Sequence, residues 1–220
     1  MDVLSQQTGD MDDGMTWDKN LQCWTGDPVH LVASVAADRR YRKPVINSES
    51  GYEYLRGHPT MREQVHHPNK IRRSAWRIVC AGGYFTAGFN GTLGHSDIWN
   101  RIDAPNHYTF TLQGEGSAAY LTTLYDFFSK LPFQRMQPFA GVSDNAVALA
   151  EPGKVYVVYL PHGGTVTMDF GATGKPFVGR WFNPRDGKYV AEIPVQGSGK
   201  QQFAAPNAED WVLLIKNDAN

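Results

Sequence analysis

The sequence predicts an α/β unit followed by an all-β unit, and three observations carry that prediction. Short apolar runs alternate with helical periodicity as far as Leu131. From about Gln134 short β-rich runs follow one another with Gly- and Pro-containing turns between them. Pro132 and Pro138 mark the change of period, so the chain divides into residues 1–134 and 135–220. Strand and helix in alternation argue for parallel βα units, and closely spaced strands for an antiparallel sandwich.

In the first unit, Asp2 to Gln6 reads as a strand and Gly9 to Gly14 as an acidic loop. GDPVHLVASVAADRRYR then reads as a helix, with Asp27 as N-cap and Pro28 at its first position. Leu31, Val32, Val35 and Ala36 share one face, and Arg39, Arg40 and Arg42 lie where the helix dipole favours cations. Pro44 to Asn47 is a second strand, and Asn69 is the predicted cap of a second helix that buries Ile71, Ala75, Ile78 and Val79. GYFTAGFN from Gly83 is a third strand. Ser117 caps a third helix carrying Leu121, Leu124, Phe128 and Leu131, which Pro132 stops. In the second unit NAVALAE, KVYVVYLP, TVTMDF, FVGRWF, KQQFAA and DWVLLIK are the strands, and RWFNPRDGKY is a strand, a turn and the next strand.

Composition excludes several classes. Hydrophobic residues make up 41% and charged residues 20%, as in an ordinary globular protein. A net charge of -1 leaves no footprint for nucleic acid or an anionic membrane, and no apolar run approaches the roughly 18 residues that span a bilayer. MDVLSQQTGD has neither the basic nor the apolar region of a secretory leader, so none is predicted. Cys23 and Cys80 form no disulfide framework and have no metal-ligand spacing. The 6 Trp, 10 Tyr and 11 Phe suit a carbohydrate cleft, where sugar faces stack on rings, as well as packed cores.

MDVLSQQTG, KPVINSESGYEY, IRRSAWRIVCAGGYFTAGFNG with the following Ile98-Trp99, YLPHGGTVTMDF and GRWFNPRDGKY together resemble the bacterial apiosidase-like glycoside hydrolases. In that family a (β/α)8 barrel is followed by a β-sandwich labelled collagen-binding. The resemblance implies that the three strands are the sixth to eighth of a barrel, giving a partial (β/α)8 barrel of about three βα units followed by an antiparallel β-sandwich. A complete barrel takes roughly 250 residues. The sequence therefore reads as the carboxyl-terminal part of such an enzyme.

The resemblance makes Glu49, after the seventh strand, a retaining nucleophile, with Glu53 as the fallback. Retaining hydrolysis needs a second carboxyl about 5–5.5 Å away. Asp10, with Asp12 and Asp13, follows the sixth strand and is the candidate within this chain; a partner chain is the other source. Gln6 and Gln7 (with Thr8) are candidate donors to sugar hydroxyls. Trp17, Trp24, Tyr52, Tyr54 and Trp99 are candidate stacking platforms, and His95 and Asp97 line or brace the sugar site. His66 and His67 are weak metal candidates without a recognised spacing; no cofactor is expected.

The leading reading is a glycosidase acting on a bacterial or plant glycan. The alternatives are a non-catalytic carbohydrate- or matrix-binding protein and a metal-assisted hydrolase of esters or phosphoesters. Open strand edges pair readily with another chain, so a homodimer or higher self-association is predicted. The compartment stays open, although the resembled family is commonly periplasmic or secreted.

Overall fold

The computed structural model describes residues 2–7, 15–20, 23–26, 30–49, 52–53, 65–86, 117–172, 174 and 176–217. Its first elements are β1 (Leu4–Gln7), β2 (Met15–Asp18), β3 (Cys23–Gly26), α1 (Leu31–Arg39), β4 (Val45–Glu49), β5 (Tyr52–Glu53), β6 (Val65–His66), α2 (Pro68–Cys80), β7 (Tyr84–Phe85) and α3 (Ser117–Phe128). A short 3₁₀ turn, Phe133–Arg135, leads to β8 (Gln137–Pro138), β9 (Val147–Glu151), β10 (Val155–Leu160), β11 (Thr165–Asp169), β12 (Phe177–Asn183), β13 (Lys188–Val195), β14 (Lys200–Ala204) and β15 (Trp211–Lys216). The chain is a mixed α/β protein rich in β-sheet, with few helices, as the sequence predicts at that level.

β4 is the middle of a three-stranded sheet, with β1 and β7 parallel to it on either side. Leu31 and Val35 of α1, Val45 of β4, and Ile78 and Ala81 beside β7 pack into one cluster on the helix-covered face. Two helix caps differ from the sequence reading. His30, not Asp27, is the N-cap of α1 and makes no side-chain cap bond; Asp27 and Pro28 lie outside the described residues. His67, not Asn69, caps α2: its Nδ1 accepts from the Asn69 N–H at 3.1 Å, and Pro68 opens the helix. Proline fits there because its missing N–H has no helical partner to lose.

The six-stranded sheet runs β13-β12-β15-β10-β9-β8, and its pairs are antiparallel. A two-stranded sheet, β11-β14, lies against one of its faces. β10, VYVVYL, is buried at every position because both faces are covered. Tyr156, Val158 and Leu160 pack toward β11 and β14, while Val155, Val157 and Tyr159 pack toward α2 and α3. Trp181 belongs to the first of these clusters.

On the second face α2 inserts Ala75, Trp76, Val79 and Cys80 between α3 and the six-stranded sheet. Trp76 meets Phe127 edge-on at 5.2 Å and stacks on Tyr159 at 5.8 Å. One apolar core thus runs from the βα half into the antiparallel half.

At its rim the two halves share an ion pair. Arg72 of α2 donates from Nε and Nη2 to the two oxygens of Asp210, at 3.0 and 2.9 Å. Their side chains are 2% and 1% exposed. Tyr159 donates to the same carboxylate at 3.1 Å, and Arg185 donates at 2.9 Å. Burial alone would raise the Asp210 carboxyl, but hydrogen bonds and charge from Arg72 and Arg185 hold it below its ordinary value. Asp210→Ala strands a buried guanidinium and is expected to cost about 3–5 kcal/mol, read from the urea midpoint. A loss below about 1 kcal/mol would show that Arg72 finds its compensation elsewhere.

Candidate active site

In parallel sheets with covering helices, sites form beyond the carboxyl ends of the strands. β4 ends there at Glu49, inside the strand rather than just after it. Its backbone is in register with Gln7, with a bulge between Gln6 and Gln7. Three hydroxyls fix this strand end. Ser5 donates to Ser48 Oγ at 3.0 Å, and Ser48 donates to the Gln6 carbonyl at 3.2 Å. Thr86, just after β7, donates through Oγ1 to the carbonyls of Asn47 and Ser48 and through its N–H to Asn47 at 2.9 Å. The residues immediately before Glu49 are therefore tied to both neighbouring strands.

Gln6 faces the helix layer: its Oε1 accepts from Ser34 of α1 at 2.6 Å. A second, small sheet, ordered β2-β3-β6-β5, gathers other candidates. Trp17 and Trp24 are cross-strand partners, Trp24 is paired with His66, and His66 with Glu53, which follows Tyr52. Asp10, Tyr54, His95, Asp97 and Trp99 lie outside the described residues, as do Thr8, Asp12 and Asp13.

The adjacent histidines have separate tasks. His66 is buried, and its Nδ1 lies 2.7 Å from the ammonium of Lys70, which is itself 1% exposed. Lysine only donates, so the imidazole is neutral and accepts at Nδ1. His67 uses Nδ1 to cap α2. Among the described residues no group of three or more His, Cys, Asp or Glu is arranged to hold a metal. Burial, and then the charge of Lys70, lower the His66 pKa to about 3. Burial also raises the Cys80 thiol, in keeping with an inert core residue.

Lys70, Arg72, Thr86 and Asp210 did not stand out in the sequence. A signal was present for two of them: Lys70 and Arg72 sit in the first turns of α2, where the helix dipole disfavours cations. Such placement calls for dedicated partners, and His66 and Asp210 are among them.

Residues 1–135 match the family model described as "Apiosidase-like, catalytic domain". The chain belongs to the apiosidase-like family. Residues 140–216 of this apiosidase-like chain match a model described as "Putative collagen-binding domain of a collagenase". Among solved structures it is similar to one titled "Glycoside hydrolase", with a TM-score of 0.69 and 20% identity over 98% of this chain and 52% of that one. It is also similar to a glycoside hydrolase family 5 protein from Bacteroides vulgatus, with a TM-score of 0.59 and 20% identity over 81% of this chain and 42% of that one. These likenesses show the fold, and the chain spans about half the length of the structures it matches. No match was found among the curated proteins. The apiosidase-like chain thus shares its fold with glycoside hydrolases.

The lowered His66 pKa makes stability depend on pH in a stated direction. The unfolded chain takes up this proton near 6.5 and the folded chain only near 3, so acid favours unfolding across that interval. The Tm is expected to fall as pH drops from 6.5, before carboxylates titrate below about pH 5. His66→Asn, which keeps an acceptor for Lys70, should flatten the slope in that window. An unchanged slope would show that His66 does not carry it.

Proposed function

We propose that this protein acts on glycans as a retaining glycosidase with Glu49 as nucleophile. The observation that carries this reading is the position of Glu49, the last residue of the central parallel strand in a segment of apiosidase-like sequence. We read β1, β4 and β7 as the sixth to eighth strands of a (β/α)8 barrel, and residues 135–220 as a sandwich that supports it. A carboxylate at such a strand end can attack the anomeric carbon while a second carboxyl protonates the departing oxygen. Water then cleaves the glycosyl ester, with the second group acting as base.

Asp10, with Asp12 and Asp13, supplies that second carboxyl within the chain, or it comes from another copy of the chain. Glu53 is the fallback nucleophile. Gln7, Trp17 and Tyr52 are the candidate sugar contacts on described strands, and Tyr54, His95, Asp97 and Trp99 are further candidates outside the described residues. The substrate class is a glycan of bacterial or plant origin.

β1 and β7 are the outer strands of the described parallel sheet. Beside β7 lies an apolar groove of about 400 Å³, lined by Phe85, Leu121, Leu124 and Tyr125. A second copy is the occupant we assign to this edge, since an open strand edge pairs with its like. Light scattering behind size-exclusion chromatography should give a dimer or larger at micromolar concentration, and a stable monomer rules this out.

The match of residues 140–216 to a model described as a collagen-binding domain favours one other reading, a non-catalytic carbohydrate- or matrix-binding protein. Aryl-glycoside turnover separates the two. Glu49→Gln should lower kcat by at least about 100-fold with the fold intact. Turnover that survives the substitution removes Glu49 from the reaction, and binding without any turnover in the wild-type chain selects the second reading.

A further inference from the structure

At the opposite end of the parallel sheet, a cleft of about 580 Å³ opens where α1 hands over to β4. We propose that this cleft binds a carboxylated saccharide, a short uronic-acid oligomer, through Arg39, Arg40 and Arg42. Lys43 also lines it, and among the described residues no carboxylate does. Lys43 is paired with Asp2 at 3.1 Å, whereas Arg39, Arg40 and Arg42 have no carboxylate partner among the described residues. β4 separates this cleft from Glu49 by roughly 15 Å at the usual rise per strand residue, so one sugar ring cannot occupy both places.

The Arg39 guanidinium is held rather than loose. Arg39 donates to the Gly82 carbonyl at 2.6 Å and to Gln137 Oε1 at 2.5 Å. A Cβ on Gly82 would lie 2.8 Å from Arg39 Nη1, so a larger residue at that position would displace the guanidinium. Arg40 reaches Tyr41 Oη at 2.8 Å.

Arg42 is the most telling of the three. Its φ is +56°, the one positive value at a described residue other than glycine, and its N–H closes the end of α1 on the Arg39 carbonyl at 2.9 Å. Chains leaving a helix in this conformation usually place glycine there, because a Cβ is strained. An arginine standing in that strained conformation adds a further cation to the rim of the cleft.

The remaining lining suits a sugar. Tyr84, 43% exposed, forms an edge-to-face pair with Phe133 at 5.3 Å and offers a ring to an apolar sugar face. Gln134 and Gln137 bring amides that can meet hydroxyls. The planar guanidinium fork matches a carboxylate in two parallel hydrogen bonds. With a net charge of -1 and a pI of about 6.6, the chain lacks the overall basic character of a nucleic-acid binder, so a short anion suits this local cluster better.

Calorimetry with trigalacturonate as the probe, and maltotriose as its neutral counterpart, tests the assignment. Trigalacturonate should bind, more weakly as salt is raised, while maltotriose does not. Arg42→Gly should weaken binding about tenfold or more while raising the Tm, since it relieves the strained backbone. A merely structural role for Arg42 would not divide the two readouts. Tyr84→Ala should weaken the saccharide further, whereas inorganic phosphate, if held by charge alone, should be insensitive to it. Glu49→Gln should leave trigalacturonate binding unchanged, so the catalytic reading can fail without this one. Equal binding of maltotriose, an unaltered affinity in Arg42→Gly, competition by a short oligonucleotide at equal affinity, or no binding to the wild-type chain would each overturn the proposal.

Discussion

The ion pair between Arg72 and Asp210 fixes how the two halves of this chain meet. Two charges withdrawn from water are tolerable only when both are fully satisfied, and here each oxygen of the carboxylate takes donors from more than one side. An apolar pair of the same volume could hold the halves together about as firmly. It could not fix their register, because apolar contacts have no preferred direction. The bidentate geometry ties one turn of α2 to the residue that opens β15.

From that anchor the constraint travels toward the candidate site. Arg72 holds the first turns of α2, the same turns carry Lys70, and Lys70 meets His66 on β6. β6 is paired with the strand of Glu53 on one side and with that of Trp24 on the other. The antiparallel half thereby steadies the small sheet next to the carboxyl end of β4. Serine and threonine hydroxyls steady the end of β4 independently, from β1 and from the residue after β7. Both supports consist of short polar contacts at the end of an apolar core, where they cost little packing and add direction.

What the sequence disclosed follows from pattern strength. α2 and α3 were readable because a long amphipathic face repeats several times, and the strands of the second half because turn residues bracket each one. β2, β3, β5 and β6 went unread: runs of two to four residues carry too few alternations to declare a period. The caps shifted for a related reason. Asn69 and His67 both offer a cap, and Pro68 decides between them by taking the first helical position. Glu49 stood out only through the family resemblance, since the residues around it read equally as a polar loop after a buried strand. Asp210 could not, since its meaning depends on a partner 138 residues earlier. The histidine pair invited a metal reading, because adjacency in sequence hides that one ring is buried against a lysine and the other caps a helix.

That same separation bears on how the chain is made. Trp76 and its neighbours on α2 are synthesised long before Phe182, Val212 and Leu214, which complete their cluster. At ordinary elongation rates the interval is on the order of ten seconds. During it, the nascent first half presents an aromatic face and an uncompensated arginine to its surroundings. Two segments that family models recognise separately are therefore joined in one late folding event, closed only when the last strand leaves the ribosome.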